Sequence, residues 1–398
     1  MKKGWQTKTL DELCEIERGG SPRPIQKFLT NAPDGTNWVK IGDATASDKY
    51  IYKTEEKITA DGVRRSRLVH EGDFLLSNSM SFGRPYIMKT TGCIHDGWLV
   101  LRQREKQLNQ DLLYYILSSD EVFRQFDQLA AGSTVRNLNT GLVKRVQISF
   151  PSSHEEQKRV LSILDEAFAD IATAKASARK NLQNARALFE SQLQSLFTKS
   201  GRKDAMKTLG EIASTFGRGK SKHRPRNAPE LYGGKYPFIQ TGEIRNADHF
   251  ITDYTQTYNE AGLAQSKLWP KGTICITIAA NIAETGILDF DACFPDSVIG
   301  VVTNPEEAEA GYVEYLLQSF KARLQAMGKG SAQANINMGT FEFERFPFPN
   351  VAEQKSIATR LDSLRIETRR LETIYQQKLT LLEELKKSLL HQAFTGNL

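Results

Sequence analysis

The sequence predicts an α/β (α+β) fold in two copies, each followed by a long helix, with the two helices forming an antiparallel coiled coil. The first observation is a repeated phrase: FPSSHEEQKRVLSILDEAF at 150–168 returns as FPNVAEQKSIATRLDSLRI at 348–366. The second Glu-Gln-Lys lies 197 residues after the first in a chain of 398. The second observation is an apolar heptad stripe that begins within each phrase and continues beyond it. Together they indicate a duplicated chain.

Other segments recur in the same order, at offsets from 197 to 200 residues. KTLDELCEI at Lys8 matches KTLGEIAST at Lys207, and CIHDGWLVL at Cys93 resembles CFPDSVIGV at Cys293. Solenoid repeats have periods of about 20–50 residues, so these copies are the size of domains. The sequence therefore predicts a molecule with pseudo-two-fold symmetry.

Each half begins with a mixed α/β segment. Strand-like runs such as GDFLLSN and GWLVLRQ alternate with Gly, Asn and Asp turns, and GTICITIAA and SVIGVVT repeat the scheme. The helical patches QDLLYYILSSDEVFRQFDQLA and YVEYLLQSFKARLQAM occupy matching places. The predicted boundaries are one α/β domain at 1–152, a helix at 153–200, a second domain at 201–350 and a second helix at 351–398.

Apolar residues in both predicted helices recur near every seventh position, which is typical of a coiled-coil seam. The alternative is two ordinary amphipathic helices, each packed on its own domain. The duplication favours antiparallel pairing, because a two-fold axis across the helices reverses their direction. The seam residues are Val160, Leu164, Ile171, Ala174, Ala178, Leu182, Ala185, Phe189 and Leu196, then Leu361, Leu364, Leu371, Tyr375, Leu382, Leu385 and Leu389.

The composition limits the class of protein. The net charge is +6 with a pI near 8.9, a mildly basic balance that permits a nucleic-acid partner without requiring one. Four cysteines are too few for a disulfide framework. The N-terminus lacks the apolar core of a secretion signal, and no apolar run reaches about 18 residues. We expect a protein of the reducing cytoplasm with no membrane span.

Catalytic signatures are missing from the sequence. Gly219-Lys220-Ser221 resembles the end of a P-loop, but Ser214 stands where that motif requires glycine. No H-E-x-x-H, C-x-x-C or G-x-S-x-G motif occurs, and neither does the Asn/Asp-Pro-Pro-aromatic motif of adenine-N6 methyltransferases. The sequence therefore favours binding over catalysis, with no cofactor or metal on this chain.

Polar loops carry the candidate DNA contacts. GRGKSKHRPR at 217–226 places cations at alternate positions, so an extended chain would present them on one side to phosphates or guanine edges. A solvated loop is the alternative, and each asparagine could equally be a turn residue. The candidates in the first half are Arg18, Ser21, Arg23, Lys27, Asn78, Ser79, Arg84, Arg136, Asn137 and Asn139. Those in the second half are Arg218, Lys220, Lys222, Arg224, Arg226, Asn281, Thr285, Gln333, Asn335 and Asn337.

The GS…N-x-N…FP…EQK series, in register in both halves, resembles the specificity (S) subunit of type I restriction–modification systems across essentially the whole chain. The resemblance implies that each α/β segment is a target recognition domain reading one half of a bipartite double-stranded DNA sequence. It implies that the helices set the spacer and bind two methyltransferase (M) subunits, which restriction (R) subunits can join. The M subunits would carry S-adenosylmethionine and methylate adenine N6, so this chain would have no catalysis of its own.

Two other functions compete with this resemblance. A stand-alone repressor-type DNA-binding protein would more often use a helix-turn-helix, and no clear one occurs. A fused restriction–methylation enzyme would need methylase motifs in this same chain, and they are missing. Co-purification of methyltransferase chains would separate an S subunit from a lone DNA-binding dimer.

Overall fold

The computed structural model describes residues 4–47, 49–78, 81–131, 137–198, 205–222, 225, 228–279, 281–329 and 336–398. The chain divides into two compact units. Unit 1 comprises residues 1–179 and 377–398, and unit 2 comprises residues 180–376. Each unit thus contains an α/β domain and a segment of both long helices. Across the described residues, no helix combines the length and the apolar character needed to cross a membrane.

The described residues of unit 1 form three sheets. β1 pairs antiparallel with β12, and the two five-stranded sheets have the orders β3-β6-β4-β10-β7 and β2-β11-β8-β9-β5. The strands are β1 Trp5–Thr9, β2 Cys14–Arg18, β3 Leu29–Thr30, β4 Thr36–Val39, β5 Tyr50–Ile51, β6 Glu56–Ile58, β7 Arg67–Val69, β8 Phe74–Ser77, β9 Pro85–Met88, β10 Gly92–Ile94, β11 Trp98–Gln103 and β12 Gln147–Pro151. The helices are α1 Leu10–Leu13, α2 Ile41–Thr45, α3 Ala60–Val63, α4 Gln110–Leu117, α5 Asp120–Ala130 and α6 Thr140–Lys144, followed by the long helix α7 His154–Thr198.

Unit 2 repeats this plan. Its five-stranded sheet, β14-β22-β19-β20-β16, takes its strands from the same places in the repeat as β2-β11-β8-β9-β5, beside the sheets β13-β23 and β17-β15-β21-β18. The strands are β13 Ala205–Lys207, β14 Ala213–Arg218, β15 Tyr232–Phe238, β16 Phe250–Ile251, β17 Gln256–Tyr258, β18 Leu268–Trp269, β19 Ile274–Thr277, β20 Thr285–Leu288, β21 Ala292–Cys293, β22 Val298–Thr303 and β23 Phe346–Phe348. The helices are α8 Thr241–Asn246, α9 Glu260–Ala264, α10 Ala310–Lys329 and α11 Met338–Phe343, followed by the long helix α12 Val351–Thr395.

The matching helical patches differ at one point. In unit 1 the patch breaks into α4 and α5, because Ser119 is extended (φ −75°, ψ 150°) and its hydroxyl accepts from the Val122 N–H. Asp120 and Glu121 then favour a helix start, since acidic side chains suit a helix N-terminus. Unit 2 has Phe320 and Lys321 at the matching positions, and α10 continues through them.

Each unit packs both long helices into the core of its own α/β domain. In unit 1, the core includes Leu164 of α7 and Ala393 of α12. In unit 2, it includes Leu193 of α7 and Leu361 of α12. Each domain is therefore anchored to the first turns of the helix that follows it and to the last turns of the other helix.

The two long helices pair antiparallel within each unit. In unit 1, Lys175 Nζ lies 2.5 Å from Glu383 Oε1, and Arg159 Nη2 donates to the Leu398 carbonyl over 2.9 Å. In unit 2, Arg186 Nε lies 3.1 Å from Glu372 Oε2. Residues with higher numbers in α7 contact residues with lower numbers in α12. The predicted antiparallel pairing is therefore confirmed.

The predicted seam is correct for most of its length and wrong at one position. Val160, Leu164 and Ala178 are buried as expected, but Leu385 is 47% exposed. Thr368, which is not among the predicted seam residues, is also buried, and its hydroxyl donates to the Leu364 carbonyl over 2.9 Å. The hydroxyl of Thr368 is satisfied within its own helix, which lets a polar residue occupy a buried position.

The glutamine of the repeated Glu-Gln-Lys is a buried latch at the start of each long helix. In unit 1, Gln157 Oε1 accepts from the Asn109 N–H over 2.8 Å, at the start of α4. Its Nε2 donates over 2.9 Å to the carbonyls of Gln107 and Pro151. One side chain thereby ties α7 to the strand before it and to the loop that leads into α4.

Unit 2 contains the same latch. Gln354 Oε1 accepts from the Glu309 N–H over 3.0 Å, and its Nε2 donates to the Glu307 and Pro349 carbonyls over 3.1 and 2.8 Å. Both glutamines are completely buried. The phrase therefore recurs because each unit needs the same three hydrogen bonds where its helix begins.

Candidate nucleic-acid interface

Three loops of unit 1 meet at one end of the strands of the sheet β2-β11-β8-β9-β5, where β2 and β8 end and β11 begins. The Gly19 N–H donates to the Trp98 carbonyl over 2.9 Å, and the Asn78 N–H donates to the Gly97 carbonyl over 3.1 Å. A further segment joins them, because the Leu138 N–H donates to the Asn78 carbonyl over 2.9 Å. We call residues 18–23, 78, 81–84, 95–97 and 137–139 the loop cluster of unit 1.

Asp96 lies at the centre of this cluster. Its carboxylate accepts from Ser21 Oγ over 2.6 Å and from Arg23 Nη2 over 3.2 Å. Its backbone carbonyl accepts from Arg18 Nε over 3.0 Å and from Asn78 Nδ2 over 2.8 Å. The hydrogen bond from Ser21, aided by the Arg23 charge, holds the pKa of Asp96 below its usual range. The carboxylate is therefore ionised at neutral pH.

Unit 2 builds its loops on the same scaffold. The Gly219 N–H donates to the Val298 carbonyl over 2.9 Å, and Arg218 Nε donates to the Asp296 carbonyl over 2.7 Å. The Ile278 N–H donates to the Ser297 carbonyl over 3.0 Å. We call residues 218–222, 278–279, 281–284 and 294–298 the loop cluster of unit 2.

A glycine permits the close backbone approach in each cluster. A Cβ on Gly19 would lie 2.1 Å from the His95 carbonyl oxygen, and one on Gly219 would lie 2.2 Å from that of Phe294. No side chain fits at those distances. Glycine is therefore required at both places where the two backbone segments approach each other. The loops are thereby fixed at the same place in both units.

Two lysines of unit 2 extend into solvent from a fixed backbone. The Lys220 carbonyl accepts from Ser266 Oγ over 2.9 Å, and the Lys222 N–H donates to Gln265 Oε1 over 2.6 Å. Both side chains are exposed. The strand β14 ends at Arg218, so Lys220 and Lys222 lie beyond it, and Arg224 and Arg226 of the expected alternating row lie outside the described residues.

Two predicted contact residues are buried inside the fold. Asn78 is 1% exposed, and its amide donates to the Asp96 carbonyl. Thr285 is 7% exposed, and its hydroxyl donates over 2.8 Å to Glu314, which also lies 2.6 Å from His249 Nδ1. These side chains support the loops and do not face solvent.

Two predicted asparagines cap short helices. Asn139 Oδ1 accepts from the Leu142 N–H over 3.0 Å at the start of α6, and Asn337 Oδ1 accepts from the Thr340 N–H over 3.2 Å at the start of α11. Both residues remain exposed, and their side-chain oxygens cap the helix ends.

The remaining candidate DNA contacts are either exposed, half-buried or outside the described residues. Arg84 is exposed, with its guanidinium 5.3 Å from the Tyr86 ring centroid, and Lys27 is exposed in a short 3-10 turn. Asn137 and Asn281 are half-buried, and the Asn281 carbonyl accepts from Thr277 Oγ1. The candidates outside the described residues are Ser79, Arg136, Arg224, Arg226, Gln333 and Asn335.

Asp96 is the central residue that sequence reasoning missed. A signal was present, because HDG at 95–97 matches PDS at 295–297 with an offset of 200 residues. Both turns precede matching strands, β11 and β22, so the repeated aspartate marked a shared turn.

Comparison with known proteins gives a consistent result. The sequence matches the family described as type I restriction modification DNA specificity domain twice, over residues 2–181 and 203–381. A putative type I restriction enzyme MjaX specificity subunit from Methanocaldococcus jannaschii is 23% identical, with 99% of this chain and 93% of the relative covered.

Two solved structures share the fold. One is a chain from a structure concerned with complex assembly and conformational transition of the type I R-M system, with a TM-score of 0.82 and 17% identity, covering 100% of this chain and 99% of that chain. The other is the HsdS subunit from Thermoanaerobacter tengcongensis, with a TM-score of 0.66 and 18% identity, covering 100% and 98%. The chain belongs to the family of type I restriction modification DNA specificity domains, of which it carries two copies, and it is the sequence-recognising, non-catalytic subunit of such a system.

Proposed function

We propose that each unit reads one half of a bipartite DNA target with its own loop cluster. The observation that carries the proposal is the shared scaffold: Arg18 with Asp96, and Arg218 with Asp296, make the same side chain-to-carbonyl bond in the two units. The side chains that the scaffold presents differ, because unit 2 exposes Lys222 where unit 1 has the buried Pro22. A common frame with different polar side chains suits two half-sites of different sequence.

The proposed contacts are the exposed cations of the clusters and their flanks. Cations neutralise phosphates and release counterions, and arginine can also bind guanine through two hydrogen bonds. We omit Asn78 and Thr285, because they are buried and hydrogen-bonded within the protein. The proposed set is Arg18, Arg23, Lys27 and Arg84 in unit 1, and Arg218, Lys220 and Lys222 in unit 2.

We propose two methyltransferase subunits as protein partners, one for each copy of the repeat. Support comes from apolar residues left exposed on α12: Ile366, Ile374, Leu381 and Leu385 are between 45% and 66% exposed. Ile366 and Ile374 lie in unit 2, eight residues apart, and Leu381 and Leu385 lie in unit 1, four residues apart, so each unit has one exposed apolar pair on one side of its segment of α12. The methyltransferases would carry S-adenosylmethionine and perform the transfer, and restriction subunits would join that complex.

The double variant Lys220→Ala/Lys222→Ala tests the unit 2 cluster. Binding of the assembled complex to its DNA target is expected to weaken, with the slope of log K against log salt falling by about two, because each phosphate contact contributes about 0.9. The sequence preference should be retained, since a phosphate contact carries no base information. Affinity is measured by titration at several salt concentrations.

Lys271→Ala is the matched control for this variant. Lys271 is an exposed lysine of unit 2 that pairs with Asp289 over 2.7 Å, and it precedes β19 at the end away from the cluster. Its removal should leave both affinity and salt slope unchanged. An unchanged slope in the double variant would show that the cluster does not lie on the DNA.

A further inference from the structure

We infer that Asp96 is a positioning residue that aims Arg23 at one G·C base pair of the half-site read by unit 1. This inference rests on the proposed function, and it assigns the residue on which one step of sequence discrimination depends. It follows from the contacts around the Asp96 carboxylate, from the exposure of Arg23 and from the geometry of guanine recognition.

The position of Asp96 is fixed from several directions. Arg18 and Asn78 both donate to its carbonyl, and its N–H donates to Ser21 Oγ over 3.3 Å. Asn78 is itself buried and bonded through its backbone to Gly97 and Leu138. The carboxylate therefore lies on a rigid turn between β10 and β11. A rigid turn fixes the position of the carboxylate, which a flexible surface loop would not do.

The Arg23 guanidinium is held at one nitrogen and stays open to solvent. Its Nη2 lies 3.2 Å from Asp96 Oδ2, and its side chain is 79% exposed. Guanine is read by two N–H donors directed at O6 and N7, and a guanidinium carries five. Asp96 can thus restrain the planar group while enough donors remain for the base.

The ion pair contributes little to folding, which points to another role. Exposed ion pairs of this kind add almost nothing to stability, because solvent screens them. Restraining a long side chain before binding, however, removes an entropic cost that would otherwise oppose the complex. The effect of Asp96 should therefore appear in discrimination between bases and not in folding.

A second way to use Asp96 would be direct reading, since a carboxylate can accept from the amino group of cytosine. The geometry favours positioning, because both oxygens already accept a hydrogen bond, Oδ1 from Ser21 and Oδ2 from Arg23, which reduces their capacity to accept from a base. The two roles predict different behaviour when Arg23 is absent, so a double-variant experiment separates them.

The variants are Asp96→Asn, Arg23→Ala and the two combined, each assembled with its methyltransferase partner. Asparagine preserves the size of the side chain and the backbone carbonyl that Arg18 and Asn78 use, and it removes the charge that restrains Arg23. Glu71→Gln is the matched control, because this 68% exposed carboxylate pairs with Lys89 at the other end of β8. Binding is measured against DNA in which each base pair of the target is varied in turn.

Arg23→Ala is expected to lower affinity for the target about tenfold to a hundredfold and to abolish the preference at one base pair. Asp96→Asn should weaken the preference at that same pair by about threefold to tenfold. Its affinity for unrelated DNA should stay equal or rise, since a negative charge near phosphates is removed. The combined variant should show the base preferences of Arg23→Ala alone, and the other half-site should be read normally.

Two binding results would overturn the inference. One is an unaltered base preference in Asp96→Asn, and the other is a further change of preference when Asp96→Asn is added to Arg23→Ala, which would show direct reading by the carboxylate. A different result would refute the proposed function at this loop: if Arg23→Ala leaves both affinity and base preference unchanged, Arg23 does not contact the DNA. Thermal unfolding of Asp96→Asn should match that of Glu71→Gln, and a large drop would make Asp96 structural and also refute the inference.

Discussion

Four residues inserted into each long helix are expected to lengthen the tolerated DNA spacer by one or two base pairs without changing the bases read. The insertions follow Arg179 in α7 and Gln376 in α12, where the chain passes from one unit to the other. Four helical residues add about 6 Å, and DNA rises about 3.4 Å per base pair. Coiled coils accommodate a four-residue insertion by local unwinding, so the helix pair should survive.

The effect on the original target should be large. A half-site displaced by one base pair loses at least two base contacts, and each mismatched pair costs about 1–3 kcal/mol. Methylation of the original sites should therefore fall by about 30-fold or more, while sites with the longer spacer gain activity. Methylated positions are mapped across a genome for both proteins.

A length-preserving variant is the control for the insertion. Replacing the exposed residues Lys180, Asn181 and Asn184 with alanine changes the helix surface at the same place and adds no length. The spacer of this variant should equal that of the original protein. An active insertion variant that keeps the original spacer would show that the helices do not set the distance.

Gln157→Ala is expected to lower the free energy of unfolding of unit 1 by about 3–5 kcal/mol, and Gln354→Ala to do the same in unit 2. Each change leaves one N–H and two carbonyls without their partner. One of these bonds is buried, where an unsatisfied group costs about 1–3 kcal/mol, and two are partly buried, where the cost is near the lower end of that range. For units of about 200 residues this corresponds to a fall in Tm of roughly 6–20 °C. Hydrogen exchange, followed separately in the two units, measures the effect.

The exposed lysine of each Glu-Gln-Lys is the control for the latch. Lys158→Ala and Lys355→Ala change the next residue in the same helical turn, and both side chains are exposed. Their exchange should equal that of the original protein. Equal protection in the glutamine and lysine variants would mean that the latch bonds are not needed, and the recurrence of the phrase would require another explanation.

The sequence predicted the features that depend on repetition and period. Two copies of the Glu-Gln-Lys phrase located the start of both long helices within one or two residues, at His154 and Val351. The heptad stripe located the seam, because buried side chains on paired helices must recur near every seventh position. Such patterns are visible in a chain without coordinates.

Features that depend on the tertiary fold were harder to predict. Asn78 and Thr285 belong to residue types that often read bases, yet the fold turns their side chains inward to Asp96 and Glu314. The helix break at Ser119 depends on acidic residues that begin a new helix in unit 1 alone. Burial is set by neighbours distant in sequence, which local composition does not reveal, whereas the residues that begin α5 at Ser119 are adjacent in sequence but lie inside one longer helical pattern.

The most direct test of the account is a genome-wide map of methylated adenines made with this chain and its methyltransferase partner. Two loop clusters on repeated units predict one target with two short specified segments, separated by a spacer of fixed length and unspecified sequence. Arg23→Ala should then relax only one segment, and Lys220→Ala/Lys222→Ala should relax neither. A single uninterrupted target, or a change in both segments caused by Arg23→Ala, would contradict the conclusion that each unit reads its own half.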